Sequence, residues 1–188
     1  MAVISSAVSC LVLKYITGGT SPFIGAEFAW HITINELLVS LALLVVGYAT
    51  TWLIKFAHQL ISSSRGKIDV TPWYVKGFVA GLGLGTLYLI GGPLTQFTGN
   101  EAIKPLMNEA IHLGVTGLLI IAGIKILAIA WSKALWYRGG TIFPIIFIGC
   151  SFISVSYILT GQINFWPFLI AFLFGAFAAE KKAKILLH

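Results

Sequence analysis

Residues 34–57 form a nearly unbroken run of Leu, Val, Ala and other apolar side chains. At about 1.5 Å of rise per residue, a helix of that length crosses a hydrocarbon core about 30 Å thick. Four further runs have the same character, at about 74–95, 114–131, 141–159 and 163–179. Shorter apolar segments cover 3–16 and 22–31. The chain is 188 residues long, 58% hydrophobic and only 10% charged. Globular domains carry about 25% charged residues, so there is too little polar material here to cover a soluble surface. A soluble enzyme domain, a disordered tail and a secreted disulfide scaffold are excluded. The pattern predicts an all-α integral membrane protein, with residues 1–188 as one multi-span bundle containing short, broken and re-entrant helices.

The charges support that segmentation. Twelve Lys and Arg oppose six Asp and Glu, and the basic residues fall in gaps between apolar runs. The 58–73 gap holds Arg65 and Lys67, with Lys55 and Lys76 on its flanks. The 97–113 gap holds one Lys against two Glu, the 132–138 gap holds Lys133 and Arg138, and 160–164 is uncharged. Three Lys close the C-terminus. Basic and non-basic gaps alternate, which places the C-terminus in the cytoplasm by the positive-inside rule and excludes nucleic acid as a partner. The first apolar run has no basic residue before it and no cleavage site, so it is read as the remaining part of a helix and not as a signal peptide.

Catalytic and cofactor signatures are absent. No Gly-rich loop follows a strand, and no carboxylate pair, Ser/His/Asp set or cysteine cluster occurs. Cys10 and Cys150 sit in apolar surroundings and read as small hydrophobes. The informative residues are Gly and Pro at the starts of apolar segments. A broken helix presents free amides at its N-terminus, and these amides and the helix dipole stabilise an anion. In lipid such a break is tolerated only where protein or water covers it. Three stretches fit: Gly139-Gly140-Thr141-Ile142-Phe143-Pro144, Gly91-Gly92-Pro93, and Gly18-Gly19-Thr20-Ser21-Pro22. The plainer reading of each is a turn between packed helices. Gly77, Gly81 and Gly85 share one helix face, which permits close backbone packing. Lys125 is the one charge in the 114–131 run. It either snorkels or pairs structurally, or it acts electrostatically near a pathway.

The run from Gly139 through Pro144, followed by an apolar stretch and Gly149, resembles the Gly-x-Phe-x-Pro anion motif in the second half of the CLC chloride channels and transporters. The glycine-rich stretch through Tyr88, Gly92-Pro93, and Gly99-Asn100-Glu101 is similar to the glycine-rich helix and following turn of that family. Lys125, fourteen residues before Gly139, stands where the family often has a lysine. Thr20 through Ala26 is similar to a short Pro-containing helix near the end of the family's first half, with Glu27 at its close. The resemblance implies a partial CLC-like fold and a chloride channel or transporter. It implies an anion site at Gly139, Gly140, Thr141, Ile142, Phe143 and Pro144, with the Thr141 and Ile142 amides as donors. Ile142 stands at the motif's usual Phe position.

The family's first-half serine and gating-glutamate motifs do not occur in this sequence, and Tyr157 is not at the position of its late tyrosine. The sequence is therefore expected to begin late in the first half of that fold and to lack enough of the pathway to conduct alone. Its expected partners are chloride or a similar anion, the lipid bilayer, and either a second copy or a separately encoded first half. The residues that separate a channel from a proton-coupled exchanger lie in the missing motifs. The alternative from another class is a non-transporting membrane scaffold or assembly subunit. A lipid-modifying enzyme would require Lys104, Glu109 and His112 to line one cavity.

Overall fold

A peptide group in lipid has no water to bond, so each apolar run must satisfy its own backbone, and a helix does this within one segment. The computed structural model describes residues 33–63, 72–96, 99, 101–135, 140–161 and 164–185. Every regular element among them is helical. These are α1 (Ile34–Ser63), α2 (Trp73–Gly91), a 3-10 turn (Pro93–Thr95), α3 (Ile103–Ala134), α4 (Ile142–Thr160) and α5 (Phe165–Ile185). Helices α1 to α4 are long and apolar enough to cross a membrane, and α5 carries a shorter apolar run, Phe165–Glu180. The chain divides into two units, Met1–Trp30 and His31–His188. The first, with the short apolar segments predicted at 3–16 and 22–31, lies outside the described residues.

Two elements are interrupted at glycine. The run expected at 74–95 is α-helical only to Gly91, where Gly92 turns the chain at φ 73° and Pro93 opens the 3-10 turn. The gap expected at 97–113 contains helix, the first segment of α3. Gly114, at φ 62° and ψ 178°, separates that segment from the span beyond it. The positive φ is open to glycine and strained for other residues.

Small residues set the packing, because apolar side chains have no preference for protein over lipid tails. On α1 the buried positions are Leu43, Gly47, Thr50, Thr51 and Ile54, one helical stripe, while Leu37, Leu41, Val45 and Trp52 are exposed. That stripe meets α5. A Cβ added at Gly47 would fall on the Phe172 carbonyl oxygen, and one at Gly175 would fall on the Leu44 carbonyl oxygen. Backbone therefore touches backbone from both sides of the crossing.

The two helices run parallel. At their starts, Asn164 Nδ2 donates to Glu36 Oε1 at 2.7 Å, while Glu36 Oε2 accepts the Thr33 amide at 2.8 Å. At the far end, Lys55 Nζ donates to the Ala179 carbonyl at 2.6 Å. Lys133, in the last turn of α3, and Glu180 lie close enough to act on the Lys55 charge. One end of the bundle thus gathers the ends of α1, α3 and α5.

Helix α2 packs differently. Gly83 receives the Trp131 indole, whose Nε1 donates to the Ala80 carbonyl at 3.1 Å, and Gly91 lies against Thr95 and Ile124. These pairs make α2 antiparallel to the second segment of α3. The Gly77, Gly81 and Gly85 face, by contrast, has nothing within 4 Å of an added Cβ. It floors a shallow groove edged by Tyr74, Phe78, Leu82 and Leu89. The close packing made by this helix is at Gly83, on its other side.

Replacing Gly175 by Leu is expected to destabilise the protein by about 3 kcal/mol through overpacking at the α1–α5 crossing. Gly81→Ala is expected to stay within about 0.5 kcal/mol of the parent, since its face is open. Unfolding titrations in mixed micelles, followed by tryptophan fluorescence, compare the two.

Candidate anion site and the buried lysine

Helix α4 begins at Ile142 with no side-chain cap. Its first internal bond runs from the Ile145 amide to the Thr141 carbonyl at 3.1 Å. Pro144, the third residue, has no N–H to leave unpaired, and its ring presets a helical φ. The Ile142 and Phe143 amides precede the helical ladder and have no acceptor within it. Gly140 is exposed, and a Cβ there would meet nothing within 4 Å. Thr141 is half-buried, Ile142 and Phe143 are exposed, and Pro144 is buried. The result is an uncapped helix start with an open backbone approach and an apolar rim. Its donors are dipoles and not full charges, which suits a small monovalent anion. Gly139 lies outside the described residues, as do Gly18 through Pro22 and Glu27.

Lys125 is only 1% exposed and does not snorkel. It lies ten residues beyond Val115 and nine before Ala134, so about 15 Å of helix separates it from either end of that segment. Its ammonium donates to the Thr95 carbonyl at 2.8 Å and to the Gln96 carbonyl at 3.4 Å. Both acceptors belong to the turn that interrupts the chain after α2. The same nitrogen lies 5.8 Å from the centre of the Tyr88 ring and 5.3 Å from that of Phe147. Two carbonyl dipoles and two aromatic faces thus surround a charge that lipid would not tolerate. Thr95 is fully buried, and its Oγ1 donates to the Gly92 carbonyl at 3.0 Å. The break at residues 92–96 is therefore level with the middle of the second α3 segment, buried at Thr95 and exposed at Pro93 and Gln96.

Phe147 connects this cluster with α4. It is one turn beyond Phe143, is completely buried, and packs against Gly99, where an added Cβ would stand 3.1 Å from its Cγ. The structure therefore brings Lys125 to the second turn of α4, beside the helix that starts at the Gly140–Pro144 motif. Thr95, Gln96, Tyr88 and Phe147 escaped the sequence reading. A lone intramembrane lysine required partners, but carbonyls thirty positions away carry no side-chain signature.

The other candidates are dispersed. Glu101, Lys104, Glu109 and His112 are exposed, and Tyr157 is half-buried on α4. Cys150 is buried and free. Among the described residues no group of His, Cys, Asp and Glu could hold a metal ion.

Residues 1–179 match the voltage gated chloride channel family. The chain belongs to that family. It is accordingly an ion-transport-family membrane protein and not an enzyme. Similar relatives are the proteins named "Putative ion-transport protein YfeO" from Salmonella schwarzengrund (strain CVM19633) and Salmonella newport (strain SL254). Each is 30% identical over 114 residues, which is 61% of this chain and 26% of the relative. The matched part thus spans about a quarter of the length of these relatives. No solved structure matches the chain.

Lys125→Met keeps the apolar stem but removes the donor to two buried carbonyls. The loss is expected to be about 1–3 kcal/mol, the cost of leaving such groups unsatisfied. Chemical denaturation of the purified variant beside the parent measures it.

Proposed function

We propose that this chain forms part of a chloride channel or transporter of CLC type. In this reading a partly dehydrated anion sits at the start of α4. The Thr141 and Ile142 amides are its donors, joined by the Phe143 amide. Gly140 lets the anion approach the backbone, and Pro144 holds the first turn. The observation that carries the reading is the uncapped helix start at Ile142, within a chain matched to the family over residues 1–179. Helix-end dipoles offset the anion's desolvation without the tight hold of a full countercharge, so the ion can leave again. Lys125 lies one turn deeper, beyond Phe147, and adds a positive potential without being a first contact.

The end of the bundle holding Lys55 and Lys133 is the cytoplasmic end in this proposal. The gap with Arg65 and Lys67 and the lysines after Glu180 adjoin the same helix ends, which supports that orientation. The uncovered Gly77, Gly81 and Gly85 face supports a second reading, an assembly subunit that packs against other helices.

Thermal unfolding of the detergent-solubilised protein in chloride and in gluconate separates the readings. Chloride is expected to raise the midpoint of the parent through binding to the folded state. Thr141→Pro removes one amide donor, and the glycine before it accommodates proline's constraint on its neighbour. The variant is expected to bind chloride about tenfold more weakly, equivalent to about 1.4 kcal/mol. Equal midpoints in the two salts for the parent would favour the assembly subunit.

A further inference from the structure

Interrupted helices in membranes commonly expose backbone carbonyls, and transporters use such carbonyls to hold a coupling cation. The turn after α2 has this character: it leaves the α-helical ladder level with mid-span, Thr95 within it is fully buried, and its Thr95 and Gln96 carbonyls converge on one point. Two ring faces, Tyr88 and Phe147, close around the same point. Carbonyl oxygens and aromatic faces both attract a weakly hydrated monovalent cation. That point is filled by the Lys125 ammonium.

We infer that residues 92–96 form a monovalent-cation site of the ammonium class and that Lys125 is its built-in occupant. The chain carries the cation on a side chain, so its fold draws none from solution. This inference stands apart from the anion site at α4, since it concerns carbonyl acceptors and not amide donors. Three observations bear it independently of Lys125's charge alone. Thr95 is fully buried, so its carbonyl has little recourse to water. Gly91 is pressed against Thr95 and Ile124, which fixes the turn against α3. Gln96, the outer acceptor, stands at the exposed edge of the turn, so the described residues do not close the cluster on every side.

Lys125→Ala removes the Cγ, Cδ, Cε and Nζ atoms, the outline of n-propylammonium. The test is thermal unfolding of the full chain in detergent at constant chloride, with choline, sodium, potassium, ammonium or n-propylammonium as the cation. Lys125→Ala is expected to unfold below the parent in choline. Ammonium or n-propylammonium is expected to raise its midpoint by about 3 °C or more. The parent and Lys125→Met, whose side chains fill the space, are expected to show the same midpoint in all five salts. The inference is overturned if Lys125→Ala is indifferent to the cation, or if it folds in none of them. It is also overturned if the parent's own midpoint shifts between choline and sodium or potassium, which would mean that solution cations still bind there. Because chloride is held constant, none of these outcomes depends on whether the α4 start binds an anion.

Discussion

A helix that stops inside a membrane must find partners for the carbonyls it frees. Water is not at hand, and each unsatisfied group costs several kcal/mol. In this protein the turn that follows the stop at Gly91 is held by Lys125, whose ammonium reaches the Thr95 and Gln96 carbonyls from the middle of a neighbouring span. The two liabilities, a buried charge and an open turn, cancel each other. The rest of the local structure follows from this pairing. Trp131 and Gly83 hold α2 beside α3, Gly91 seats Thr95, and Phe147 brings α4 against the same ammonium.

The two interrupted regions have opposite polarity. Past Gly91 the chain offers carbonyls and meets a cation. Before Ile142 it offers amides with no acceptor in the helix. One is an internally neutralised break and the other an unneutralised one. That asymmetry is what the proposed anion site requires, because a site for a mobile ion must be left open by the protein itself. Phe147 stands between the two, so the buried pairing also fixes where the second turn of α4 lies.

The helical class and the run at residues 34–57 were legible because apolar length is written directly in composition. Breaks at Gly92-Pro93 and before Pro144 were legible too, since glycine and proline act on the backbone locally. The partners across those breaks were not. Backbone carbonyls at Thr95 and Gln96 look the same in any sequence, so the choice between a snorkelling and a buried Lys125 needed three dimensions. Glycine misled for the same reason. The Gly77, Gly81 and Gly85 spacing is the better packing pattern on paper, yet among the described residues the close approaches are at other glycines, Gly47, Gly83, Gly91, Gly99, Gly149 and Gly175. Spacing tells which glycines share a face and not which face is covered.

The parallel pairing of α1 with α5 bears on how the molecule is made. Gly47 meets the Phe172 backbone and Gly175 the Leu44 backbone, yet more than a hundred residues separate the two helices in the chain. Synthesis proceeds from the N-terminus, so α1 is in the bilayer long before the helix it fits is complete. Until then its small-residue stripe faces lipid or a temporary neighbour. The α1–α5 crossing therefore closes only after the helices between them have been made, and the nascent protein passes through a stage in which α1 carries a docking stripe for a helix not yet synthesised.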